Sequence, residues 1–155
     1  MTIPRDLSNL APGVSAAGVL GTTKGGTGSA NGILSNCTVD GTNAVGYLII
    51  PQNVQSGAYT LVLGDSGEHI FHPSTDTTAR TWTIPANSSV AFPIGTAVTF
   101  INQNSAGVIT IAITSDTMWL AGAGTTGSRT LAANGIATAI KITATGWIIS
   151  GSGLT

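Results

Sequence analysis

A serine behind a strand-like run, two histidines and four dispersed acids are the residues whose types invite a chemical reading. In Leu61-Val62-Leu63-Gly64-Asp65-Ser66-Gly67, Ser66 stands where a hydroxyl can serve as nucleophile. That chemistry needs a histidine base, itself oriented by a third group, and here no histidine follows His72. Gly67-Glu68-His69 leads into another strand instead, so Gly64 to Gly67 reads as a hairpin turn. His69 and His72 are three apart, and an extended backbone sends them to opposite faces. Two ligands close no zinc site unless Glu68 or Asp76 folds back, although a three-fold axis could gather one histidine per subunit. Asp65, Glu68, Asp76 and Asp116 are too sparse to nominate an acid pair. Lys24 lies among glycines, but the run from Gly21 to Gly28 lacks the order and strand–loop–helix context of a phosphate cradle. The expectation is a protein with no catalytic residue, no metal and no cofactor.

Aromatic side chains offer a second kind of chemistry, stacking on sugar rings. Trp82, Trp119, Trp147, Tyr47 and Tyr59 all fall in strand-like runs, where such residues more commonly fill a core or a subunit interface. Trp119 is the candidate glycan contact, because Asp116 and Gly122-Ala123-Gly124 put it near loops.

The elements that would position these residues are strands. Residues 97–113 hold two apolar, β-branched runs around Asn102-Gln103-Asn104-Ser105-Ala106-Gly107. Val98 and Phe100 share one face of the first run, and Ile109, Ile111 and Ile113 share one face of the second. Period-two alternation around a polar turn predicts an antiparallel hairpin. Further strands are expected at 45–50, 58–63, 68–71, 81–84, 90–92, 117–120, 128–131, 136–143 and 146–150, with turn formers such as Ala132-Ala133-Asn134-Gly135 between them. About ten short strands at such spacing predict an all-β fold, an antiparallel β-sandwich or barrel, with almost no helix.

Residues 1–44 have a different character, an extended N-terminal arm and hinge ahead of a β domain at 45–155. Residues 1–32 carry Pro4, Pro12 and seven glycines, with isolated apolar anchors at Ile3, Leu7, Leu10, Val14, Val19 and Leu20. Spaced anchors on such a strand suit a segment that orders along a partner surface. Residues 33–41 read as a turn-rich hinge.

Composition bears on partners. Charged residues make up 7% of the chain, against roughly a quarter in ordinary soluble domains, while apolar residues reach 42%. So few charges predict that much of the surface is covered in an oligomer. Five scattered basic residues and a net charge of −1 give no footprint for nucleic acid. Cys37 is alone, so no internal disulfide is expected. No apolar leader opens the sequence and no apolar run is long enough to span a bilayer, so neither a signal peptide nor membrane insertion is expected.

Pro4-Arg5-Asp6-Leu7-Ser8-Asn9-Leu10-Ala11-Pro12-Gly13, with Gly25-Gly26-Thr27-Gly28, resembles the N-terminal region of tailed-bacteriophage fibre and appendage proteins. The stretches His72 to Asn87 and Ala121 to Arg129 are similar to β-structured domains of phage tail-fibre and other virion proteins. The resemblance implies a virion structural protein, made in the host cytoplasm and usually trimeric, anchored through its N-terminal arm to the major capsid or another virion protein. A chain with no repetitive shaft between arm and β domain resembles a short head fibre or capsid decoration protein more than a long tail fibre. The alternative is a tail-fibre-type module that recognises host-surface carbohydrate.

Overall fold

The computed structural model describes residues 37–39, 45–47, 49–103 and 107–155. The described residues are mostly β-strand with almost no helix. The chain divides into two units, residues 1–49 and 50–155. In the first, β1 (Cys37–Val39) pairs antiparallel with β2 (Val45–Tyr47), so a strand runs through the expected hinge. The anchors Ile3, Leu7, Leu10, Val14, Val19 and Leu20 lie outside the described residues.

The second unit is one nine-stranded sheet curled into a half-barrel. Its strands are β3 (Gln52–Val54), β4 (Tyr59–Thr60), β5 (His69–His72), β6 (Arg80–Ile84), β7 (Ala97–Asn102), β8 (Ile109–Ile113), β9 (Thr117–Leu120), β10 (Arg129–Thr143) and β11 (Gly146–Leu154). A 3-10 turn, Leu63–Asp65, separates β4 from β5.

The pairing corrects the antiparallel expectation. The chain alternates between two arms of the sheet, so same-arm neighbours are every second strand and run in one direction. β3, β5 and β7 pair in parallel in the first arm, and β4, β6 and β8 do so in the second. β7 and β8 therefore form no hairpin. β10 lies between them and is antiparallel to both, through Ile136 to Ile140 on β7 and Arg129 to Leu131 on β8. The run around Gly64 is not a hairpin turn either, since β4 and β5 belong to different arms. The run 90–92 lies in the β6–β7 connection and forms no strand.

β10 can serve both arms because it bends. The expected turn at Asn134-Gly135 is instead a bulge inside one strand, with Asn134 at φ 58° and a register shift between Leu131 and Ile136. Asparagine tolerates this left-handed conformation better than most residues. β11 follows β10 as its antiparallel partner, and β9 adds in parallel to the far side of β11.

Alternation then sorts the side chains. Ile70, Val98, Phe100, Ala137, Ala139 and Ile149 from the first arm meet Trp82, Ile84, Ile109, Ile111 and Leu131 from the second, all buried. The rings of Trp82 and Phe100 lie 6.1 Å apart, joining the two arms. At about 25 cal/mol per Å² of apolar surface, each such large side chain contributes about 2 kcal/mol, so this core is the main source of cohesion.

Candidate functional site

Polar residues at inward positions are the first candidates, since each must be satisfied or used. Asn102 continues the inward series Val98 and Phe100 and is fully buried. Its amide nitrogen donates to the carbonyls of Gly107 (3.2 Å), Leu131 (3.3 Å) and Ala132 (3.1 Å). That commitment fixes the amide, so Oδ1 accepts from His72 Nδ1 at 3.1 Å. The other ring nitrogen of His72 lies 3.0 Å from Asp76 Oδ2, which also accepts from Arg80 Nε at 2.9 Å. The Arg80 guanidinium first, then His72 and the Thr78 N–H, hold the Asp76 carboxyl well below the usual carboxylate range. Trp82 meets the His72 ring edge-on at 5.9 Å. Asp76 does fold back on His72, but Arg80 takes the same oxygen. His69 faces the other side, within 2.9 Å of Gln52 Nε2. Among the described residues no three His, Cys, Asp or Glu side chains gather as a metal would require.

A second polar group ties β3, β4 and the 3-10 turn together. Buried Asp65 accepts from Asn53 Nδ2 (2.8 Å), the Tyr59 hydroxyl (3.1 Å) and the Val62 N–H (2.7 Å). Burial raises the Tyr59 phenol above its ordinary value, and the Asp65 carboxylate adds to the rise. The Ser66 hydroxyl donates to Leu63 O at 2.9 Å, which closes the turn.

The third group surrounds Lys141, an inward residue after Ala137 and Ala139. Its side chain is 1% exposed. Its Nζ lies 2.7 Å from Asn87 Oδ1 and 5.5 Å from the centre of the Trp147 ring. Phe92 meets Trp147 edge-on at 5.6 Å. Asp116, also buried, accepts from the Asn87 N–H with both oxygens, at 3.2 and 3.1 Å. Lys141 and Asn102 both sit in the inward phase of legible strands, and that parity is the signal by which the sequence marks them.

The outward face of the first arm is of another kind. Strand register aligns Val54, Phe71, Ile101 and Ile136 in one row and Gln52, His69, Thr99 and Thr138 in the next. Ala97 and Ile140 pair beyond them. Val54, Ile136, Ile140 and Ile142 are exposed, with Ile136 at 47%. A cleft of about 220 Å³ opens beside this row, between Phe71, Ile101, Gln103, Asn134 and Ile136. The outward face of the second arm carries threonines instead, Thr81, Thr110 and Thr130 in one row and Thr60 and Thr83 in another.

Trp82 and Trp147 are wholly buried, so neither presents a ring to a sugar. Trp119, the candidate glycan contact, is half-buried in β9 with its ring over Gly146. No helix among the described residues is long and apolar enough to cross a membrane. No family model, curated protein or solved structure matches the chain.

Proposed function

We propose that the protein is a structural component of a bacteriophage particle, a short head fibre or capsid decoration protein. Residues 1–44 attach it to the major capsid or another virion protein, and the β domain associates with copies of itself, as a homotrimer. The observation that carries this reading is that Val54, Ile136, Ile140 and Ile142 lie exposed on the outward face of the first arm, in a chain with 7% charged residues. Four exposed β-branched side chains on one sheet face are stabilised by being covered, and the sparse charge offers little to keep copies apart. The threonine face of the second arm is the one suited to water. The resemblance of residues 4–13 and 25–28 to phage appendage proteins supports the particle as the place of attachment.

Sedimentation of the purified protein with its cognate particles tests the reading. Full-length chain is expected to co-sediment, and a chain lacking residues 1–32 is expected to stay in the supernatant with its β-sheet circular dichroism intact. Equal co-sedimentation of both would overturn the role of the arm.

A further inference from the structure

The Lys141 environment has an arrangement that the assembly reading does not use. The primary amine of a buried lysine lies 2.7 Å from the side-chain carbonyl oxygen of a half-buried asparagine and 5.5 Å from the centre of the Trp147 ring. Among the described residues no carboxylate lies within ion-pair distance of that amine. A buried charge without a counter-ion is unfavourable, and a lysine whose only task is to bridge one loop amide has an expensive way of doing so. We propose that Lys141 and Asn87 join covalently, Nζ to Cγ, in an intramolecular isopeptide bond.

The chemistry balances without any co-reactant. The neutral amine attacks Asn87 Cγ, and an Nζ–Cγ bond forms as the carbonyl becomes tetrahedral. The Cγ–Nδ2 bond then breaks, and Nδ2 leaves as ammonia with a proton that Nζ has given up. Nothing is oxidised or reduced. An N–H of Lys141 Nζ donates to Asn87 Oδ1, which polarises the carbonyl to be attacked. Both reactants are fixed in place, and such positioning accounts for large accelerations in intramolecular acyl transfer. On the lysine side, the backbone N–H of Lys141 donates to Thr96 O at 2.9 Å and its carbonyl accepts from Gly95 at 2.8 Å. On the asparagine side, Asp116 grips the Asn87 N–H, so we assign Asp116 as a positioning residue. Burial of Lys141 beside the Trp147 ring restricts the approach of water from the amine side.

The bond would tie the β6–β7 connection to β10. A sequence with one cysteine has no internal disulfide to do this, and a cross-link closing so long a loop restricts the unfolded chain in the same manner.

Intact-mass and peptide-map analysis of the denatured full chain decides the matter. The expected mass lies one ammonia below that of the sequence, and digestion is expected to release a branched peptide joining Asn87 to Lys141. The Lys141→Arg variant is expected to show the full sequence mass, with circular dichroism reporting whether it keeps the β fold. Asp116→Asn is expected to slow ammonia release at least tenfold while the fold persists, and release at the wild-type rate would remove Asp116 from its assigned role. A wild-type chain with the full sequence mass after prolonged incubation overturns the proposal. So does an ammonia loss that persists in Lys141→Arg, because succinimide formation at Asn134-Gly135 would give that result.

Discussion

A buried amide whose two N–H groups are shared among three carbonyls, and whose oxygen meets a histidine, holds more of this fold than its size suggests. Asn102 sits where β7 ends and binds Leu131 and Ala132 just ahead of the β10 bulge, so it links the first arm to the strand that joins both. Asn102→Leu keeps most of the volume and strands those acceptors in the core. The expected destabilisation is about 2–4 kcal/mol, read from the urea midpoint, because each unsatisfied buried group costs about 1–3 kcal/mol. Asp76 makes a second test. Its carboxyl is held below the usual range by Arg80, so the unfolded chain binds a proton there at a higher pH than the folded one. Its contribution is complete above the ordinary carboxylate pKa of about 4 and is lost as pH falls toward the depressed folded value. Asp76→Asn is therefore expected to flatten the decline in stability between neutral pH and about pH 2, as followed by urea unfolding at each pH. An unchanged acid profile would place the pH dependence in other carboxylates.

At the scale of elements, close approach of β10 and β11 sets the tolerances. A Cβ on Gly151 would strike the carbonyl oxygen of Ile136 and the Cα of Ala137, which are backbone atoms of the paired strand. Gly151→Ala is expected to destabilise by about 1–3 kcal/mol, the range for forcing atoms into filled space. At Gly57 a Cβ meets nothing within 4 Å, so Gly57→Ala is expected to stay within about 0.5 kcal/mol of wild type. Comparing the two thermal midpoints separates collision from a general intolerance of glycine replacement. The strands themselves are legible, since β-branched residues at period two mark β6, β7 and β8 within a residue or so. Their partners are not. Alternation assigns side chains to faces and is the same for parallel and antiparallel neighbours, so the 97–113 run looked like a hairpin although β10 separates its halves. β3 leaves no pattern in the sequence because it is a three-residue edge strand with polar Gln52 and Asn53, held by its neighbour rather than by propensity. Composition alone makes Lys141 one more scattered base, although its spacing from Ala137 and Ala139 points it inward. A residue that breaks the apolar pattern on a core face is the strongest local sign of a special environment, and Asn102 follows the same rule.

For the whole molecule, the two outward faces predict different fates. Threonines on the second arm bond with water and need no cover, whereas the exposed aliphatic side chains on the first arm forgo about 25 cal/mol per Å² that burial would supply. Ile136 and Ile140 are the residues through which to ask whether copies meet there. Both point outward from β10, so replacing them removes nothing from the core. The double variant Ile136→Lys, Ile140→Lys puts two like charges on each copy, and facing charges at a self-contact would repel. Light scattering is expected to give a trimer for the wild-type chain and a monomer for the variant. The unfolding midpoint of the isolated monomer should shift little, since surface substitutions away from the core change stability by about 0.5 kcal/mol or less. A variant that keeps the wild-type molar mass would exclude this face as the contact between copies and turn attention to the unit formed by β1 and β2. A wild-type chain that is already monomeric would overturn the proposed homotrimer.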